Sequence, residues 1–142
     1  MVEEKVSPGS LELIAERDNF YQFISFIENY IAKIGIQKED ATNILLASEE
    51  IIINIINYAY ENEKGTIKID LSNDKSRIKL NFTDYGKPFN LLKINETDIS
   101  LPLEKRGEGG YGILIVKKIM DSVHYEYRNG KNVLTVTKHI NN

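Results

Sequence analysis

Glu50, Asn54, Asn57 and Glu61 recur at i, i+4, i+7 and i+11 along a run otherwise dominated by isoleucine. On a helix, residues three and four apart stack over one another, so these four polar groups form one narrow stripe. Ile51, Ile52, Ile53, Ile55 and Ile56 demand burial over most of the remaining circumference. A carboxylate and two amides at the edge of an apolar core are costly unless something pairs with them. A solvated helix face is the plainer reading, but such faces ordinarily carry Lys, Glu, Gln or Arg. Asparagine is a poor helix former that competes for local backbone hydrogen bonds. The stripe is therefore a candidate site, and Glu50 is its leading ionisable group.

Two glycine-bearing segments lie downstream. Asp84-Tyr85-Gly86 follows directly on a predicted strand. An acid there can accept a hydrogen bond from an exocyclic amine, while glycine lets the backbone approach a flat ring. Taken alone, the same residues also describe an ordinary turn. Gly107-Glu108-Gly109-Gly110-Tyr111-Gly112 holds four of the nine glycines and opens into a predicted helix. Backbone amides unobstructed by Cβ atoms, at a helix N-terminus, suit an anion such as phosphate. The segment formally matches G-x-G-x-x-G, and Glu126 stands about where a ribose-binding acid would. Against the dinucleotide reading, Leu101 to Arg106 is no strand and too little chain follows for a parallel sheet, which leaves it the weaker alternative. There is no G-x-x-x-x-G-K-[ST] P-loop. His124 and His139 fall in predicted strands with no visible metal or nucleophile partner, so both read as structural or solvent-facing.

The elements that must position these groups follow from periodicity. A first strand is predicted at Leu11–Ala15, after a Pro8-Gly9-Ser10 approach expected to be mobile. Phe20, Phe23, Ile24, Ile27, Ile31 and Ile34 repeat at helical spacing, and Gly35 caps that helix. A second helix from about Glu39 to Tyr60 contains the stripe. Thr66–Leu71 and Arg77–Phe82 alternate around a short connection and form an antiparallel hairpin. From Asp84 to Gly112 no period survives, as in a functional loop or lid. A helix at Tyr111–Met120 and a hairpin around Asn129-Gly130, joining Val123–Tyr127 to Asn132–Thr137, close the chain. The order β-α-α-β-β-loop-α-β-β points to an α+β fold, with a mainly antiparallel sheet and helices on one face.

Composition narrows the function classes. With 142 residues, 42% of them hydrophobic, the chain is long enough to bury a core as one domain without staples. A net charge of −3 and no basic run argue against direct nucleic-acid binding. The absence of cysteine excludes disulfides and thiolate metal sites. No apolar signal core follows Met1, and no stretch approaches membrane-spanning length, so a cytoplasmic location and no membrane are expected.

Together, Glu50-x-x-x-Asn54, Asp84-x-Gly86 and Gly107 through Gly112 ahead of a helix resemble the Bergerat-fold (GHKL) ATPases. That superfamily includes gyrase, Hsp90, histidine kinases and MutL. Within it the chain is most similar to the anti-sigma factor serine/threonine kinases and their stand-alone relatives. Glu49-Glu50-Ile51 with Asn54 through Tyr60 looks like their N-box, and Asp84 through Asn90 like their G1 box. Gly109 through Asp121, then Asn132-Val133-Leu134-Thr135, looks like their G2 box and final strand.

The resemblance spans about residues 11 to 138. It implies a two-layer sandwich in a single domain, 1–142, with a nucleotide lid at about 90–106. It implies ATP and Mg²⁺, with Asn54 ligating the metal and both Asn54 and Asn57 binding the nucleotide cofactor. Asp84 would read the adenine amine, and Gly86 would leave room for the ring. Gly107, Gly109, Gly110 and Gly112 would wrap the phosphates. Arg106 would reach a phosphate or remain a lid-surface charge, and Thr135 would sit near Asp84 or serve as a plain β-former.

Glu50 would be the catalytic base for a hydroxyl or water nucleophile, which disfavours a histidine-kinase module. Phe89 stands where the wider superfamily often has glycine, and Tyr58 where some kinase members have histidine. The implied partners are a STAS-type anti-anti-sigma protein phosphorylated on serine, a sigma factor, and a second copy in a homodimer. The alternative is a nucleotide-gated binding module of the same fold with little or no transfer. A third class, the ATPase subunit of a larger machine, would need a transducer domain for which the length leaves no room.

Overall fold

The structure is a computed structural model and describes residues 4–90, 92 and 110–140. In chain order it comprises β1 (Lys5–Ser7), β2 (Ser10–Ile14), α1 (Phe20–Ile34), α2 (Lys38–Tyr58), β3 (Thr66–Asn73) and β4 (Arg77–Asp84). Then follow α3 (Gly110–Ile119), β5 (Ser122–Arg128) and β6 (Lys131–His139). The strands form one sheet in the order β1-β2-β3-β4-β6-β5, every neighbouring pair antiparallel.

Local chemistry accounts for the boundaries. Gly35 takes φ +74° at the end of α1, where its N–H donates to the Ile31 and Ala32 carbonyls. Glu39 and Asp40 occupy the first turn of α2, where carboxylates oppose the helix dipole favourably. The β3–β4 turn closes on Asp74, whose Oδ1 accepts from the backbone N–H of Ser76 and Arg77. Asn129 and Gly130 both have positive φ, 54° and 77°, as a two-residue hairpin turn requires.

Two boundaries differ from expectation. The approach to β2 is not loose: Lys5–Ser7 pairs with it in register, Val6 opposite Leu11. In addition, α2 stops at Tyr58, so Glu61 lies beyond the helix and the fourth member of the stripe is not part of it. Instead Glu61 pairs with Lys87 at the surface.

Period-two alternation assigns the sheet faces. Leu11 and Leu13, Ile67 and Ile69, Leu80 and Phe82, and Leu134 and Val136 are all buried, and their register pairs them on one face. Phe23 and Ile27 of α1, Ile44, Ile51 and Ile52 of α2, and Ile113 and Val116 of α3 complete that core. The opposite face carries Glu12, Lys68, Asp70, Lys79, Asn81 and Thr135, none of them buried. The result is a two-layer α+β sandwich with helices on one side.

Candidate functional site

Asn54 is only 3% exposed although it sits on α2. Its Nδ2 donates back to the Glu50 carbonyl at 2.7 Å. That bond fixes the amide, turning Oδ1 into the acceptor left for another group. One turn earlier, the half-buried Glu50 carboxylate lies against the start of α3. A Cβ on Gly112 would stand 2.2 Å from Glu50 Oε2, so any larger residue would push this carboxylate aside. The first turn of α3, a helix end where negative charge is favoured, thereby packs beside the carboxylate.

At the other end of α2, Asp84 occupies the last position of β4 and pairs in register with Asn132 of β6. By alternation both project to the helix side of the sheet. Asp84 Oδ1 accepts from the Gly86 N–H and from Asn132 Nδ2, each at 2.9 Å. Burial pushes the Asp84 carboxyl above the ordinary aspartate value, and these two bonds only partly oppose that rise. Asn54, Ala59, Asp84, Phe89 and Asn132 line a common cleft of about 20 Å³. The rings of Tyr58 and Phe89 stack along its wall, centroids 6.3 Å apart.

The turn after β4 is held from two sides. A Cβ on Gly86 would meet the Ala59 carbonyl oxygen at 2.2 Å, so the end of α2 presses on the turn backbone itself. The Tyr60 hydroxyl donates to the Thr66 carbonyl at 2.6 Å and accepts from the Tyr85 N–H at 2.8 Å. Burial pushes the Tyr60 phenol up to about 12, so it stays protonated as a donor. From β6, Asn132 Nδ2 also reaches the Lys87 carbonyl at 2.8 Å.

The expected site residues separate into groups. Glu50, Asn54, Asp84, Gly86 and Gly112 line one side of α2 and its junctions with β4 and α3. Asn57 does not join them: it lines a separate recess of about 290 Å³ with Arg17, Phe20, Tyr21, Ile53 and Ile56. Thr135 is also elsewhere, and this corrects the expectation that it meets Asp84. It opposes Asn81, to whose Oδ1 its hydroxyl donates at 2.6 Å, on the other face of the sheet. Gly110 opens α3. Arg106, Gly107, Gly109 and most of the 90–106 lid segment lie outside the described residues. Asn132 and Tyr60 were not singled out by sequence reasoning. Asn132 was detectable, because it shares the core-facing parity of Leu134 and Val136.

Among the described residues no cluster of three or more His, Cys, Asp or Glu could hold a metal ion, and both histidines are exposed. No described helix is long and apolar enough to cross a membrane.

Residues 13–138 match the family described as "Histidine kinase-like ATPase domain". The chain belongs to that family. It is 30% identical over 107 residues to the serine-protein kinase RsbW of Oceanobacillus iheyensis, a match covering 72% of this chain and 68% of that protein. The RsbW protein of Bacillus mycoides is 29% identical over 112 residues, covering 76% and 69% of the two chains. These relatives put the chain in the serine-protein kinase group. The fold is shared with the RsbU and RsbW domains of Rv1364c from Mycobacterium tuberculosis, at TM-score 0.62 and 14% identity, covering 92% of this chain and 32% of that one. It is also shared with the catalytic domain of the histidine kinase ThkA, at TM-score 0.56 and 19% identity, covering 92% and 99%. The expected ATP-binding fold class and kinase family thus agree with the comparisons.

Proposed function

We propose that this chain is a Mg-ATP-dependent protein-serine kinase acting as an anti-sigma regulator in the cytoplasm. Its substrate would be a serine on a STAS-type anti-anti-sigma protein, its second partner a sigma factor, and its working form a homodimer. The observation that carries this reading is convergence: Glu50 lies one helical turn from Asn54 and against the first turn of α3. A carboxylate, an amide oxygen and the first turn of a helix thereby lie on one side of α2, with Asp84 of β4 toward its C-terminal end.

Each residue has a physical task in that reading. Asp84 accepts a hydrogen bond from the adenine amine, which a carboxylate does more strongly than a neutral acceptor. The 110–112 turn supplies N–H groups to phosphate oxygens. Asn54 Oδ1 is a hard oxygen donor with its orientation already fixed. It suits Mg²⁺, which takes few protein ligands and completes its shell with phosphates and water. When bound, the ion would neutralise phosphate charge. Glu50 accepts the serine Oγ proton as the new Oγ–Pγ bond forms. The bond from Pγ to the bridging oxygen breaks, and ADP leaves with that electron pair.

The test is transfer of labelled γ-phosphate to a purified STAS-type partner, together with calorimetric titration of Mg-ATP. Glu50→Gln should reduce transfer roughly 10²- to 10⁴-fold while ATP still binds. Transfer that survives this substitution would refute Glu50 as the base. Absence of ATP binding by the wild type would refute the kinase reading.

A further inference from the structure

Asn132 is 6% exposed and makes more bonds than any other side chain around the cleft. Its Nδ2 donates to Asp84 Oδ1 at 2.9 Å and to the Lys87 carbonyl at 2.8 Å, with the Gly86 carbonyl at 3.4 Å. Its Oδ1 accepts from the Phe89 N–H at 3.1 Å and from the Tyr125 hydroxyl. Two donor hydrogens and two acceptor lone pairs are all an amide has, so none remains for a ligand. Nor can the amide be flipped, because the Phe89 N–H only donates and the Lys87 carbonyl only accepts.

We infer that Asn132 is the positioning residue for nucleobase selectivity, holding Asp84 and the 86–89 turn in the arrangement that accepts an exocyclic amine. The inference rests on Asp84 reading the base, as proposed above. Asn132 directs its donor to Oδ1 alone, the oxygen that also takes the Gly86 N–H. The carboxylate plane is thereby set, and Oδ2 is the oxygen that receives no hydrogen bond from Asn132 or Gly86. Asn132 also ties that plane to the backbone of residues 86 to 89, which borders the same cleft. It therefore acts through Asp84 and does not touch the base. Tyr125 stands behind it and fixes the acceptor end of the amide.

The experiment compares binding of ATP and purine riboside triphosphate, which differ only by the 6-amino group, in the presence of Mg²⁺. The wild type should prefer ATP by about tenfold or more, the effect of one hydrogen bond to a charged group. Asn132→Ala should narrow that ratio to within about threefold. If both affinities fall by the same factor and the ratio stays wide, Asn132 is merely structural and the inference is overturned.

Asp84→Asn separates the two readings, since its amide oxygen can still accept from Gly86 and Asn132. A ratio left wide by Asp84→Asn removes the reading of Asp84 as the base-recognising group. A ratio narrowed by Asp84→Asn but not by Asn132→Ala overturns the role of Asn132 alone. Should Asn132→Ala not fold, Tyr125→Phe removes a single bond to the same amide and should narrow the ratio about twofold. An unchanged ratio there also overturns the inference.

Discussion

Asp84 is buried for a purpose that works against stability. Its carboxyl is held above the ordinary value of 3.8, so between that value and the raised one the folded chain keeps a proton that the unfolded chain has released. Stability therefore falls as pH rises through this window, and the penalty is complete above it. Asp84→Asn should thus be more stable than the wild type at pH 7 in urea denaturation, and the advantage should vanish below pH 3.8. The same variant should lose ATP affinity, a trade of function for stability. Gly112 acts on function more than on stability. Gly112→Ala sets a Cβ 2.2 Å from Glu50 Oε2, so the flexible carboxylate must swing aside. Phosphate transfer should fall, while the denaturation midpoint should stay within about 1 kcal/mol of the wild type, because alanine's helix propensity offsets the contact.

At the scale of elements, the site depends on how the end of α2 meets the β4 turn and the start of β3. Tyr60 makes that junction with one hydroxyl serving both the Thr66 carbonyl and the Tyr85 N–H. Tyr60→Phe should cost about 0.5–1.5 kcal/mol for each bond lost, measured by guanidinium denaturation. ATP affinity should drop with it, because the Tyr85 N–H belongs to the turn that carries Asp84. The hairpins and α1 were legible because their signals are local: apolar period, Gly35, Asn129-Gly130. The short edge strand β1 was not, because Lys5–Ser7 has no period of its own and is a strand only by pairing with β2. Likewise α2 ends at Tyr58, where the chain must turn toward β3, although the i, i+4 pattern alone runs on to Glu61.

For the molecule as a whole, nucleotide and fold should be linked by mass action. At a hundredfold excess over Kd, Mg-ATP should add about 2.7 kcal/mol, a rise in melting temperature of roughly 8 °C for a chain of this size. At the same nucleotide concentration Asp84→Asn should show a clearly smaller rise in a thermal melt. Hydrogen exchange should be slowest in β2, β3, β4 and β6, which have partners on both sides, and faster in the edge strands β1 and β5. By itself the sequence determined the α+β order, the nearness of Glu50 to Asn54, and the family. The first two rest on residues a few positions apart, where helix and strand periods govern geometry directly, and the family rests on the order of three such short motifs. Of the two readings of Thr135, the alternation itself favours the plain β-former, since Leu134 and Val136 face the core and an odd step along a strand reverses the face. Only the tertiary structure decided that Asn57 turns to a different recess, that Gly112 makes room for Glu50, and that Asn132 and Tyr60 clamp the Asp84 turn. Those contacts join residues 48 and 25 positions apart, brought together by sheet register and helix packing, which no local pattern encodes.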